Sequence, residues 1–307
     1  MRGWWQDLTD LVLPGECGGC GVPRTVLCAR CRAVLCGGAV HRVRPLPEPP
    51  GLPVVHAAAR YADEVRATLL AHKERGALAL AGPLGVALAG AVRAGLRRAS
   101  APAGAGVVRS RGGRAPVLLV PVPSGRCSVR ARGHDPARWI ALAAAGELRR
   151  RGLPARVVGV LRQRRAVADQ SGLNSRQRLD NLAGALAVAP AGVRLLCGGP
   201  VVLVDDVMTT GASLAEAARA VRVAPSVPGG PFGVSGPIPN AAWTSAVYGG
   251  ETWESREEQN VGSRRERTGR WPARQVNAGA GDAGGVVDVV CAAVVAASPD
   301  SFEINRN

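Results

Sequence analysis

The residue types best suited to chemistry lie in one stretch, VVLVDDVMTTGAS, at 201–213. An apolar run predicts a buried strand that ends in two adjacent carboxylates, Asp205 and Asp206. In an open α/β sheet, ligands bind outside the carboxyl ends of the strands. Two carboxylates at such a place can accept hydrogen bonds from vicinal hydroxyls, as on a ribose.

The loop after the carboxylates has the composition of a phosphate-binding site. Its five residues are Thr209, Thr210, Gly211, Ala212 and Ser213. They offer backbone N–H groups and hydroxyls, and the predicted helix behind them adds the positive end of its dipole. Gly211 allows the backbone to approach an anion closely. These residues therefore predict a site for a sugar 5-phosphate, with the diol over the aspartates.

A second cluster consists of cysteines. Five of the eight lie within 20 residues, and two C-x2-C pairs are formed by Cys17 with Cys20 and by Cys28 with Cys31. Four thiolates can converge tetrahedrally on one zinc ion at about 2.3 Å, so we predict a structural zinc site; the alternative is a set of free thiols or a degenerate finger. Cys36 is predicted to be a buried small hydrophobe.

Composition limits the class of protein. The 307 residues carry 39 basic against 23 acidic side chains, and Lys73 is the one lysine. An arginine excess favours anionic partners, although GC-biased coding would produce the same excess.

No membrane span is predicted, because the uncharged stretch Ala77–Val92 has 16 residues and contains Pro83, and a span needs about 20 apolar residues. No signal peptide is predicted, so the chain is expected to be cytoplasmic, where thiols bind metal rather than pair.

These residues need elements to position them. Apolar runs that alternate with helical segments predict an α/β fold, with a parallel sheet covered by helices on both faces. The predicted strands are 117–123, 155–161, 200–206 and 286–298, and the predicted helices are 61–76, 77–98, 136–151 and 214–222. Cys197 and Cys291 lie in apolar surroundings and are predicted to be buried.

Several segments resemble known families. The stretch at 201–213 is similar to the signature of type I phosphoribosyltransferases that binds phosphoribosyl pyrophosphate (PRPP). Four further features resemble, in chain order, the ComF family of competence-related proteins, which carry a zinc-finger-like head on a phosphoribosyltransferase domain. They are the cysteine cluster, YADEVRATLLAHKERG (61–76), VPVP followed by RARGHDP (120–136), and RRAVADQSGLNSRQRLDNLAGAL (164–186).

The resemblance implies a domain plan. Residues 1–40 would form the zinc-binding head, and the proline-rich stretch 41–53 a linker. A type I phosphoribosyltransferase-like domain would comprise 54–223 and 286–307. Residues 224–285 hold 12 Gly and 6 Pro, which predicts a disordered low-complexity insertion. If 286–298 still pairs as the next strand, the site survives that insertion.

The resemblance also implies roles for individual residues. Asp205 and Asp206 would hold the ribose hydroxyls, and residues 209–213 the 5-phosphate, with Mg²⁺ bridging pyrophosphate and ribose oxygens. The remaining PRPP contacts would come from a pyrophosphate loop and a mobile segment. The loop contacts would be Pro123, Ser124 and Arg126, and those of the mobile segment Arg165, Gln170, Arg178 and Asn181.

Two positions leave alternatives open. Lys73 matches a family position with Tyr61, but a lone helical lysine is more often a solvated or packing residue than a ligand contact. The family commonly has RGFNQ where this chain has RGHDP at 132–136. His134 and Asp135 would either face the ligand as a polar pair, or His134 would replace a packing aromatic, which we favour.

Two functions of different class follow. The first is an enzyme that displaces pyrophosphate from PRPP, or handles another phosphorylated ribose, with an acceptor that the sequence does not identify. The alternative is a non-catalytic PRPP- or nucleotide-binding module of the DNA-uptake machinery that contacts single-stranded DNA or DNA-uptake proteins. A third is a zinc-ribbon nucleic-acid binder whose transferase domain is vestigial. The oligomeric state stays open, with a dimer as one alternative.

Overall fold

Parallel pairing of apolar strands organises the chain. The computed structural model describes residues 15–100, 115–125, 129, 133–165, 167, 174–224, 287 and 289–302. The strands are β1 (His41–Val43), β2 (Val55–Arg60), β3 (Val117–Pro121), β4 (Ala155–Val157), β5 (Leu161–Gln163), β6 (Leu186–Val188), β7 (Val201–Met208) and β8 (Val289–Ala297). Six of them form a sheet in the order β1-β2-β8-β7-β3-β4, and β5 pairs with β6 in a separate ribbon.

The large sheet is mixed rather than wholly parallel. β2, β8, β7, β3 and β4 pair in parallel, whereas β1 is antiparallel to β2, with Val43 opposite Val55. A parallel crossover needs about a dozen residues or more, usually with a helix. The connection from 44 to 54 is short and irregular, which favours the antiparallel return. The expected linker at 41–53 thus begins with an edge strand.

Helices cover both faces of this sheet, which confirms the predicted α/β class. They are α1 (Ala29–Cys36), α2 (Asp63–Glu74), α3 (Ala81–Ala99), α4 (Pro136–Arg150), α5 (Ser175–Leu182), α6 (Val193–Leu196) and α7 (Ala212–Arg222). Because strand side chains alternate between faces, β7 contributes Val204 to the core beneath α3 and α4 and Leu203 to the core beneath α7. The two crossover helices α4 and α7 therefore lie on opposite faces.

The predicted strand at 155–161 is two strands in the structure. Val158 N donates to Leu119 O at 2.8 Å, so the chain follows β3 as far as this residue. It then leaves the large sheet near Gly159, and Leu161 pairs with Val188 of β6. A continuous apolar pattern did not reveal that the two halves belong to different sheets.

Within the part of the chain that the structure describes, one helical segment is long and apolar enough to cross a membrane by length and composition. Leu78–Ala99 spans 22 residues with a mean hydropathy of 1.5, because the helix continues through Arg93 beyond the uncharged stretch. In the structure 67% of its apolar window is buried. At Gly85 an added Cβ would lie 2.8 Å from Ala144 N of α4. The apolar surface of this helix is used for packing inside the domain.

β8 lies at the centre of the sheet. It pairs with β2 on one side and with β7 on the other, which places Ala293 opposite both His56 and Val204. The strand predicted at 286–298 is thus present and pairs next to β7. The predicted insertion lies outside the described residues apart from Ala224, and most of the loop at 99–115 does as well.

The cysteine cluster shares a core with the α/β unit. Cys17, Cys31 and Leu35 are buried in the same apolar cluster as residues of α2 and α3. Cys291 is buried as predicted, but Cys197 is exposed, contrary to the prediction. α6 turns Leu196 into the core, and the residue after it faces outward.

Candidate functional site

The candidate site lies where the strand connections diverge. β3 leads through α4 to β4 on one side, whereas β7 leads through α7 towards β8 on the other. In such sheets the crevice between the two strands, at their carboxyl ends, is where ligands bind. Val122 N donates to Val204 O at 2.9 Å. The loop after β3 therefore starts beside the two carboxylates of β7.

The carboxylates lie where the sequence placed them. Asp206 is buried and Asp205 half-buried. Each accepts a hydrogen bond at 2.8 Å from the next backbone amide, Asp205 from Asp206 N and Asp206 from Val207 N. Burial, and then the neighbouring charge of Asp206, raise the pKa of Asp205 well above its usual value. A nearby cation therefore favours the ionised form of Asp205.

Lys73 supplies such a cation. Its Nζ lies 3.4 Å from Asp206 Oδ2 and joins the last turn of α2 to β7. The lysine charge also opposes the upward shift in the pKa of Asp205. From the sequence, a solvated or packing role was the favoured prediction for Lys73. Two features of the sequence pointed to a role for Lys73 at the site. It is the one lysine of the chain, and the resemblance matches it to a family position.

The predicted phosphate loop forms the turn into α7. Thr209 is exposed, and Thr210 and Ser213 are half-buried. Gly211 caps the helix with φ 75° and ψ 0°, and Ala212 is the first helical residue. A left-handed backbone of this kind favours glycine. The strand, acidic pair, loop and helix are thus in the predicted order.

The stretch between β1 and β2 packs onto this loop. A Cβ added at Gly211 would lie 3.1 Å from Leu52 Cδ2 and 3.3 Å from Pro45 Cγ. Arg222 at the end of α7 donates to Gly51 O at 2.8 Å. The proline-rich composition predicted a linker at 41–53, and nothing in that composition indicated this contact.

Of the four residues predicted in the mobile segment, Arg178 reaches the loop. Its NH1 donates to Thr209 Oγ1 at 3.2 Å, and its Nε is buried without a hydrogen-bond partner among the described residues. Arg165 instead donates to the carbonyls of Asn181 and Ala183, both at 2.9 Å. These two hydrogen bonds hold Arg165 against the end of α5. Gln170 lies outside the described residues.

The predicted pyrophosphate loop contacts the start of α4. Pro123 and Ser124 are half-buried, and Arg126 lies outside the described residues. Ser124 Oγ donates to Asp135 Oδ1 at 3.4 Å, and the same oxygen accepts from Arg138 N at 3.3 Å. Burial is the main cause that raises the pKa of Asp135, and the charge of Asp206 adds to it. Asp135 therefore caps α4 and holds the serine of this loop.

His134 joins the same loop to α2. Its Nε2 donates to His72 O at 3.2 Å, and the two rings meet edge to face with centroids 5.9 Å apart. His72 is fully buried, and its Nδ1 lies 3.3 Å from Ala77 O. Of the two alternatives for His134, these contacts fit the packing one.

The four predicted metal ligands converge. The Sγ atoms of Cys17, Cys20, Cys28 and Cys31 all lie within 4.8 Å of one another, and Cys20 Sγ is 3.6 Å from Cys28 Sγ. A tetrahedral zinc site with bonds of about 2.3 Å places its sulfurs about 3.8 Å apart. The four thiols are therefore arranged to hold a metal ion.

Backbone donors support this set of thiols. Cys28 N donates to Cys17 Sγ at 3.3 Å, and Cys31 N to Cys28 Sγ at 3.5 Å. Burial raises the pKa of Cys17, but backbone hydrogen bonds from Cys20, Cys28 and Gly19 bring it down to about 6. Cys36 is directed elsewhere, with Sγ 3.7 Å from Pro83 O.

No protein-family model, curated protein or solved structure matches this chain. The function of the site is therefore inferred from its own residues. These are two carboxylates, a threonine-glycine loop at a helix start, and an arginine that contacts the loop.

Proposed function

We propose that this protein binds PRPP and transfers or handles its 5-phosphoribosyl group with loss of pyrophosphate. One observation carries the proposal: two adjacent carboxylates on β7 are followed directly by a Thr-Gly loop at the start of α7, in the crevice between β3 and β7. This arrangement supports a type I phosphoribosyltransferase fold of the ComF kind.

Each part of the crevice matches one part of the ligand. Asp205 and Asp206 accept hydrogen bonds from the ribose hydroxyls, since ionised carboxylates are acceptors only. The loop at 209–213 binds the 5-phosphate through backbone N–H groups at the positive end of α7. Arg178 adjoins Thr209 and adds a planar donor to the phosphate oxygens. Ser124 would donate its hydroxyl to the pyrophosphate in exchange for its hydrogen bond to Asp135, since a hydroxyl has one proton to donate.

In the reaction, a nucleophile forms a bond to the anomeric carbon while the bond from that carbon to pyrophosphate breaks. The chain contributes by positioning PRPP and by offsetting the charge of the leaving pyrophosphate. Mg²⁺ that arrives with PRPP would supply further positive charge. Its protein contacts would be few, since Asp206 is engaged by Lys73 and Mg²⁺ usually keeps several waters.

Zinc is the metal that we assign to the four-cysteine site. Four thiolates in a tetrahedron are the ligand set of structural zinc centres. We expect one zinc per chain, and loss of that zinc in the double variant Cys17→Ser/Cys28→Ser. Elemental analysis checks this, with Cys197→Ser as the control, because that thiol is exposed and lies outside the cluster.

Calorimetry with PRPP and Mg²⁺ tests the main proposal. The wild type should bind, and Asp206→Asn should weaken binding by at least about tenfold, the loss of one charge-assisted hydrogen bond. Release of pyrophosphate on addition of single nucleobases would then identify the acceptor. A wild-type chain that does not bind PRPP contradicts the proposal, whereas binding without turnover favours the non-catalytic alternative.

The arginines favour a second candidate, binding of single-stranded DNA by a cytoplasmic component of DNA uptake. Arg97, Arg98 and Arg149–Arg151 are exposed at the ends of α3 and α4. These ends adjoin, since Arg93 and Arg151 line one cavity. α4 ends just before β4 begins, so this surface lies at the amino ends of the strands. The crevice lies at their carboxyl ends. DNA affinity that falls steeply with salt would support this candidate, and a flat response would exclude it.

A further inference from the structure

Helix α2 contacts the cysteine cluster directly. A Cβ added at Gly19 would lie 3.1 Å from Thr68 Oγ1, and one added at Gly18 would lie 3.5 Å from Ala71 Cβ and 2.6 Å from Leu80 Cδ1. The backbone at Gly18 and Gly19 thus rests on α2 and on the turn after it, with no room for a side chain at either glycine. Any shift of this cysteine loop must move the surface on which α2 packs.

Two further contacts fix the same helix to the cluster. Arg30 of α1 donates to Glu64 Oε1 at 2.7 Å. Cys17 and Cys31 are buried in the apolar cluster that contains Val65 and Leu69 of α2. The position of α2 along the cysteine cluster is therefore set by packing, by an ion pair and by close backbone approach.

The last turn of α2 contacts the crevice. Lys73 pairs with Asp206 at 3.4 Å, and the carbonyl of His72 accepts a hydrogen bond from His134 in the loop before α4. A helix of 12 residues is about 18 Å long. One short helix thus contacts both the cysteine loop and the acidic pair.

We propose that Lys73 is a positioning residue for the acidic pair, and that the metal centre holds it in place through α2. This inference rests on the proposed function, because it concerns the affinity of the crevice for PRPP. The ammonium group pairs with Asp206 and holds that carboxylate in the orientation in which it accepts the ribose hydroxyls. Loss of the metal frees the loop 17–20, α2 loses its support, and the contact between Lys73 and Asp206 is lost with it. The two sites are then coupled, and coupling of binding is reciprocal.

The first test is the affinity of the metal-loaded full chain for PRPP with Mg²⁺. Lys73→Met should weaken binding by about tenfold, and Lys73→Arg should retain most of it, because it keeps the cation. Arg66→Met is the matched control. Arg66 lies exposed on the same helix, and its replacement likewise removes one positive charge. Equal binding by Lys73→Met and wild type overturns this inference alone. A wild-type chain that does not bind overturns the proposed function as well.

The second test is the rate at which the folded chain gives up its metal to a chromogenic chelator. PRPP with Mg²⁺ should slow this release at least about fivefold in the wild type and in Arg66→Met, the lower end of typical allosteric coupling. It should have no effect in Lys73→Met. This comparison uses folded protein throughout, so a variant that unfolds when stripped of metal does not obscure it. If the wild type binds PRPP but releases its metal at an unchanged rate, the coupling is overturned.

Discussion

The guanidinium of Arg178 donates to the hydroxyl of Thr209 at 3.2 Å and so connects α5 to the loop that begins α7. The two residues are 31 positions apart in sequence. The buried Nε of the same side chain has no partner among the residues described. An arginine held this way presents a planar set of donors beside the proposed phosphate site.

Arg178→Lys should therefore weaken PRPP binding by about tenfold, because lysine keeps the charge but loses the planar donor set. Calorimetry with PRPP and Mg²⁺ measures the effect. Arg176→Lys serves as the control, since Arg176 is exposed on the same helix. An equal loss in both variants would contradict a specific role for the contact between Arg178 and Thr209.

Gly211→Ala should destabilise the protein by more than Gly184→Ala does. Both glycines have positive φ, 75° and 68°, so alanine costs about 1 kcal/mol at either position. At Gly184 no atom lies within 4 Å of the added Cβ, whereas at Gly211 Leu52 Cδ2 lies at 3.1 Å. Urea denaturation of the two variants separates crowding from backbone strain. Adding Leu52→Ala to Gly211→Ala should reduce the penalty, and an unchanged penalty would contradict the packing contact.

Asp205→Asn should make the protein more stable while it loses affinity for PRPP. Burial and the charge of Asp206 raise the pKa of Asp205 in the folded state. Between the unfolded and folded pKa values the folded state binds more protons, so this group lowers stability as pH rises through that window. Asparagine removes the penalty, and Tm at pH 8 should rise by about 2–4 °C, the effect of about 1 kcal/mol in a domain of this size.

The pH profile provides the control for that variant. The gain in Tm from Asp205→Asn should shrink as the pH falls, because the wild-type carboxyl is then protonated and carries no charge. Thermal unfolding at pH 5 and pH 8 gives the comparison. A gain that is equal at both pH values would mean that charge at Asp205 does not destabilise the folded chain.

Glu216→Gln should destabilise the protein by about 1–3 kcal/mol. Glu216 is buried in α7, accepts from Leu186 N at 2.9 Å and pairs with Arg219 at 2.6 Å. Burial raises its pKa, but the hydrogen bonds from Arg219 and Leu186 outweigh this and lower the pKa below its usual value. The stabilisation is thus complete above the unfolded pKa of about 4.3 and is lost as the pH falls through the lower folded value.

Denaturant unfolding at pH 7 and pH 3.5 checks this dependence. The difference between wild type and Glu216→Gln should be smaller at the lower pH. Glu48→Gln is the control, since Glu48 pairs with Arg44 on the surface with both side chains more than 40% exposed, and such pairs contribute about 0–1 kcal/mol. Equal losses in the two variants would contradict a special role for the buried pair.

The parts of the site that could be predicted are contiguous in sequence. Asp205, Asp206 and the loop at 209–213 follow one strand and precede one helix, so local patterns determine their arrangement. The cysteine pairs are likewise close in sequence, and their spacing predicted their convergence. β7 and α7 are strongly patterned, which is why their existence and type were predictable.

The other contacts depend on packing between distant segments. Lys73 at the end of α2 meets Asp206 of β7, and Leu52 from the stretch after β1 meets Gly211 at the start of α7. β1 and β5 have three residues each, too few to show a period. No local pattern records such contacts, and they are visible only once the whole sheet is assembled.

The central place of β8 affects how this protein can fold during synthesis. β2 has two sheet neighbours, β1 and β8, and the pairing of Val55 with Ala292 joins residues that are 237 positions apart (292 − 55). Until β8 has left the ribosome, β1 and β2 cannot join β7, β3 and β4, and both half-sheets keep an unpaired edge. Pairing over such a distance is slow, and open edges favour aggregation. A nascent chain that stops before residue 289 should therefore depend on chaperones.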